Sequence, residues 1–156
     1  MNDYYKNLPR KWMGSGALFL NSESRILIVK PTYKDYWEIP GGSISENESP
    51  WAACAREVRE ELNLEIKKGN LLCIDYLPDN DEKGDRLMFI FDGGQLSESD
   101  ISRITLQKEE LSEFRFVSID EAEKLLGERL SRRIRPTYEA KMDGFTAYLE
   151  SGKSIF

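Results

Sequence analysis

A glycine pair, Gly41-Gly42, stands a few residues ahead of a strong helix start, and the helix that follows is acidic along one side. Ser49 followed by Pro50 supplies an N-cap and a first-turn proline, the pairing that most firmly begins an α-helix. Past that start, Trp51, Ala55, Val58 and Leu62 are spaced four, three and four, which predicts a buried stripe. Glu57, Glu60 and Glu61 fall at i, i+3 and i+4 and share a face. At roughly 100° per residue that face lies away from the stripe, so the helix can pack on a sheet and present its acids in a cleft. Each like-charge pair costs roughly 0.2–0.5 kcal/mol. A hard divalent cation among the carboxylates would offset that repulsion, and Mg²⁺ is bound by a few carboxylates plus waters and phosphates. The plainer alternative is a solvated acidic face on which Arg56 and Arg59 pair with some of the acids.

Read in full, the segment runs Gly42, Glu48, Arg56, Glu57, Val58, Glu60, Glu61, Asn63, Leu64. It resembles the signature of the Nudix (MutT-like) hydrolases: Gly, five residues, Glu, seven residues, then Arg-Glu-apolar-x-Glu-Glu-x-Gly-apolar. One position departs, with Asn63 where the family has its last glycine. Asn is the usual second choice where a helix ends left-handed, so the departure touches helix termination rather than chemistry.

The resemblance implies an α/β (α+β) fold, a mixed sheet sandwiched between helices, as one domain over residues 1–156 with its signature at 42–64. It is expected to cover nearly the whole chain, from about Gly14 to Leu126, with the tail after Gly127 least constrained. It further implies hydrolysis of a nucleoside diphosphate linked to another moiety, by water attack at phosphorus. Mg²⁺ or Mn²⁺ would neutralise the phosphate oxygens and lower the pKa of the attacking water. By the same resemblance Glu57, Glu60 and Glu61 are metal ligands, joined by the carbonyl of Gly41, while Arg56 and Glu48 orient the carboxylates. A further glutamate before the last strand can supply the base. Glu110 is the first candidate there and Glu109 its competitor, and the base is left open between Glu60, Glu61 and Glu110.

Composition narrows the chemistry independently. The 156-residue chain has no histidine, which removes His-containing triads, His zinc sites and imidazole bases together. A net charge of −6 argues against general affinity for nucleic acid backbones. No apolar run is long enough to span a membrane, and the first residues lack the apolar core of a signal peptide, which points to the cytoplasm. Cys54 and Cys73 read as small buried hydrophobes. The expected partner is a nucleotide or nucleotide-derived substrate, with a homodimer left open.

Strands are predicted at Gly16–Leu20 and Arg25–Lys30, joined by a turn at Asn21–Ser24, and at Trp37–Ile39, Leu71–Leu77, Arg86–Phe91 and Phe114–Val117. Helices are predicted over Ile119–Leu126 and Glu128–Met142, the second kinked or split at Pro136. Lys30 and Tyr33 are candidate substrate-binding residues, with Lys34 beside them. Tyr76 and Pro78 stand at no spacing that specifies a substrate. Two other classes share the implied fold. A nucleotide sensor without catalysis would be expected to lose ligand acids, and this chain keeps them. A prenyl diphosphate isomerase needs its own cysteine and glutamate pair, against which the position of Cys54 within the helix counts.

Overall fold

The computed structural model describes residues 2–67 and 69–156. Its elements in chain order are α1 (Asp3–Lys6), β1 (Trp12–Leu20), β2 (Ile26–Pro31), β3 (Gly41–Ser43) and α2 (Pro50–Leu62). They continue with β4 (Leu71–Leu77), β5 (Arg86–Gln95), α3 (Glu98–Ser102), β6 (Leu111–Val117) and α4 (Ile119–Leu125). Then come α5 (Glu128–Asp143), β7 (Ala147–Glu150) and β8 (Lys153–Ser154).

The strands form one mixed sheet in the order β6-β2-β1-β5-β4-β7-β8, with β3 also paired to β1. Alternation along β1 and β2 divides the apolar residues between two cores, as expected where both faces of a sheet are covered. Leu18, Leu20, Ile26 and Ile28 join Ile134 and Ala140 of α5, while Ala17, Phe19, Leu27 and Val29 join Cys54, Val58 and Leu62 of α2. The helices therefore sandwich the sheet, as the sequence implies. The tail after Gly127 belongs to this arrangement, because β7 runs parallel to β4 in the same sheet. Among the described residues no helix is long and apolar enough to cross a membrane.

The sheet opens at one place. β1 pairs with β5 along its whole length, but its register with β2 is confined to Leu20 opposite Ile26. Beyond that point β2 diverges toward β6, and β3 takes the vacated edge of β1 at Gly14–Gly16. Residues 37–39 cross the gap. The predicted strand there is not formed: Trp37 and Glu38 make only isolated bridges, to Leu126 and Val29. Two diverging neighbours cannot both be laddered by one short segment.

Two further expectations are corrected. α5 runs unbroken through Pro136, which rules out the split, one of the two forms predicted there. The buried stripe of α2 is turned from the predicted one: Ala53, Cys54, Val58, Glu61 and Leu62 are buried, and Trp51 and Ala55 are only half so. Trp51 instead packs edge-on against Phe91, with ring centroids 5.3 Å apart. Both cysteines are free and buried, and burial pushes the Cys54 thiol up to about 12 and the Cys73 thiol up to about 11. Such thiols are inert, as small buried hydrophobes should be.

Candidate active site

Helix α2 is placed by its ends. The Ser49 hydroxyl accepts the N–H of Ala52 at 3.1 Å, and Asn63 closes the helix in the left-handed conformation, φ 59° and ψ 36°. Asn63 thus does what the missing glycine would do. The Ser15 hydroxyl donates to the carbonyl of Pro50 at 2.7 Å, tying the first turn to β1. This sets the acidic side of α2 over the glycine strand β3.

The three helix carboxylates occupy three different environments. Glu60 is exposed, its side chain 48% accessible, and accepts from Arg56 at 3.2 Å. Glu57 is half-buried and accepts from the same guanidinium at 3.0 Å. Glu61 is only 6% exposed. The sequence placed all three away from the packed face, and for Glu61 that is corrected. The glycine strand leaves a slot that side chains on β3 would have filled, and a carboxylate occupies it. At Gly42 an added Cβ would lie 2.5 Å from the Glu57 Oε1, and the N–H of Gly41 points at Glu61 Oε2 at 3.4 Å.

Arg56 organises the rest. Its Nε and Nη2 grip Glu48 at 2.7 and 3.0 Å, a two-point contact that holds the Glu48 carboxyl down at about 2. The same guanidinium reaches the Ser43 carbonyl at 3.3 Å. One arginine thus serves Glu48, Glu57 and Glu60, and Arg59 is turned to Glu65 at 3.0 Å. Among the described residues no cation pairs with Glu61.

Burial first, and the neighbouring Glu57 charge second, push Glu61 up to about 9. Burial also raises Glu57, against the pull of Arg56. The two carboxyls lie close enough to share a proton. Among the described residues no three Asp, Glu or Cys side chains converge on one ligand point. What converges is the Glu57–Glu61 pair, with Glu60 held off at the rim. An excess of carboxylate over cation, half of it desolvated, is the electrostatic setting that a hard divalent ion fits.

Two outcomes follow from this geometry. Gly42→Ala should displace the Glu57 carboxyl and lower any metal-dependent activity by about tenfold or more while leaving the fold intact. Wild-type kinetics in the alanine variant would show that the close approach is unimportant. The second concerns pH. A carboxyl raised from an ordinary 4.5 to about 9 holds its proton in the folded state and not in the unfolded one between those values. Its stabilisation is therefore complete below the unfolded value and is lost as pH rises through the folded value. Without metal, melting temperature should fall as pH rises from 5 to about 9, and Glu61→Gln should flatten that slope. Parallel profiles for the two proteins would refute the assignment.

The pair opens on a cavity of about 650 Å³ at the gap between β1 and β2. Glu57, Glu61 and Gly41 line it, and so do Tyr33, Lys34 and Glu110. Glu109, the competing candidate, is exposed and does not line the cavity; its carbonyl accepts the Thr32 hydroxyl at 3.0 Å. Lys30 is not brought in either, because its ammonium folds onto the carbonyls of Pro31 and Lys34. Lys34 sits 5.4 Å from the ring centres of both Tyr33 and Tyr36 and bonds Glu38 at 2.6 Å. Tyr76 is remote from the cavity, donating to Asp85 at 3.2 Å. Sequence reasoning missed Trp12, Met88 and Arg129, which also line it. Extending the alternation of β1 back two turns of the pleat from Gly16 would have found Trp12.

Comparison with known proteins gives the family and the fold. Residues 11–138 match the NUDIX domain. The chain is 35% identical over 77 residues to the mRNA-decapping enzyme subunit 2 of Saccharomyces cerevisiae (strain YJM789), covering 49% of this chain and 7% of that protein. It is 40% identical over 50 residues to an RNA pyrophosphohydrolase of Hydrogenovibrio crunogenus, covering 32% of this chain and 30% of the relative. The matches thus span well under half the length of these relatives. Among solved structures, a MutT protein from Methanosarcina mazei Go1 superposes with a TM-score of 0.68 at 19% identity, over 88% of this chain and 99% of that one. That likeness is one of fold. The chain belongs to the NUDIX domain family.

Proposed function

We propose that this protein hydrolyses a phosphoric anhydride bond in a nucleoside diphosphate linked to another moiety, using Mg²⁺ or Mn²⁺. The observation that carries the reading is the Glu57–Glu61 pair on the wall of a large cavity, with Glu61 desolvated and, among the described residues, paired with no cation. Relatives named for decapping mRNA and for pyrophosphate hydrolysis on RNA support it.

Glu57 and Glu61 would hold the ion, with Glu60 reaching in from the rim and Gly41 contributing backbone. When bound, the ion supplies charge neutralisation at the phosphate oxygens and activation of water. The chain's own residues do the positioning. Arg56, anchored on Glu48, fixes the Glu57 and Glu60 carboxylates. Tyr33, Tyr36 and Trp12 offer flat apolar surface to the organic moiety. Glu110 and Glu61 line the same cavity and Glu60 does not, and the proton acceptor is one of these three.

The test is phosphate release across a panel of pyrophosphate-linked nucleotides with Mg²⁺, read with and without added phosphatase. EDTA should stop turnover. Tight binding of a panel member with no product over hours in Mn²⁺ would instead identify a nucleotide sensor.

A further inference from the structure

The far wall of the cavity carries the opposite charge. Arg129, in the first turn of α5, lines it, and among the described residues its guanidinium has no hydrogen bond and no ion pair. A half-buried arginine without an acceptor is uncommon, since its five donors must otherwise be met by water. The surroundings sharpen the point. Arg86 is 2% exposed, is stacked on the Trp12 ring at 5.6 Å and feels the charges of both Arg129 and Arg133. Among the described residues the acids set against these three cations are buried Asp75, which Arg133 engages at 2.8 Å, and exposed Asp79, whose charge reaches Arg86. The neighbouring acid Glu128 also lines the cavity, and its ion pair is with Arg132, at 3.9 Å, rather than with Arg129. The lysines nearer the glycine turn are satisfied by the protein itself. Arg129 is thus the cavity cation left for a ligand.

We propose that Arg129 forms a second anion subsite, backed electrostatically by Arg86 and Arg133, that takes a phosphate group lying beyond the anhydride to be cut. The carboxylates come from the helix on one face of the sheet and Arg129 from the helix on the other, so one ligand meets both signs only by spanning the cavity. The substrate class this implies, which rests on the hydrolase reading above, is a pyrophosphate-linked nucleotide carrying an additional phosphate. That phosphate is either a monoester on the ribose or a longer phosphate chain.

Binding is measured first without metal and without turnover. Inorganic tripolyphosphate is titrated into the protein in EDTA by calorimetry. Wild type should bind saturably, Arg129→Gln should bind about tenfold more weakly, and Arg129→Lys should fall between them. Arg132→Gln removes the same charge from an exposed position on the same helix and should stay within about twofold of wild type. Melting temperatures of all variants confirm folding. Equal affinity in Arg129→Gln, an equal loss in Arg132→Gln, or no binding by wild type overturns the subsite, whether or not the protein proves to be a hydrolase.

With Mg²⁺, matched substrates then distinguish the sources. A preference for NADP over NAD, or for coenzyme A over its 3′-dephospho form, that disappears in Arg129→Gln assigns a ribose phosphate. A preference for nucleoside triphosphate over diphosphate that disappears assigns a longer chain. Preferences unchanged by the substitution overturn the substrate assignment.

Discussion

Glu57→Gln and Glu61→Gln should each lower metal-dependent turnover by about 10²–10³-fold, the scale on which a lost charge-stabilising group acts in a transition state. Gln keeps the shape of the side chain and its hydrogen-bonding oxygen but removes the charge that holds a cation. In metal-free buffer both variants should melt at or above the wild-type temperature. Each removes the cost of burying two neighbouring acids, which at neutral pH is the cost of taking up a proton on folding. Loss of activity with retained or increased stability is the combination that separates a ligand from a structural residue. Glu60→Gln completes the test, because Glu60 is exposed and held by Arg56 in this structure. Wild-type rates for that variant at saturating Mg²⁺ would remove Glu60 from the ligand set and leave Glu57 and Glu61 in it.

The largest effect on stability is expected at Asp75, far from the carboxylate pair. Asp75 is fully buried and accepts from Arg133 at 2.8 Å and from the N–H of Gly152 at 3.0 Å. Asp75→Asn strands the Arg133 guanidinium, itself 5% exposed, beside Arg86 and without its buried partner. Breaking a buried pair by removing one partner costs about 3–5 kcal/mol. For a chain of this size that is a fall of roughly 6–20 °C in melting temperature. Denaturant unfolding measures it, and a loss below about 1 kcal/mol would show that the pair is already hydrated. The Gly152 contact fixes the turn between β7 and β8, so amide exchange at 147–154 should quicken in the same variant. Replacing both partners together, Asp75→Leu with Arg133→Met, should recover much of the loss.

Much of this molecule could be read before its structure was seen, for reasons that are local. Ser49-Pro50 and Asn63 act through their own backbone, so the ends of α2 are written in the residues that form them. The alternation in β1 and β2 needs only a pleat. What could not be read depends on partners distant in the chain. A 100° wheel separates Glu61 from the packed face, yet nothing in it reveals that a glycine strand some twenty residues earlier leaves space for a carboxylate. Lys30 looked like a ligand because it precedes the glycine turn, but the diverging path of β2 folds its ammonium onto local carbonyls. Arg129 drew no reading at all, because the cavity it lines is built from strands β1, β3 and β5, all distant from it in the chain. Trp37–Ile39 has strand composition and lacks a neighbour to ladder with.

The single point of register between β1 and β2 has a mechanical meaning. Backbone ladders resist being pulled apart, whereas packed side chains tolerate small slides. The β2–β6 ribbon, from whose leading edge Glu110 projects, is fastened to the body of the sheet by ladder at Leu20 and Ile26. Further along, bridging residues and packing hold it. The cleft is therefore walled by two arms joined by ladder at one end, and its far end depends on single bridges and side-chain packing rather than on a continuous run of backbone hydrogen bonds.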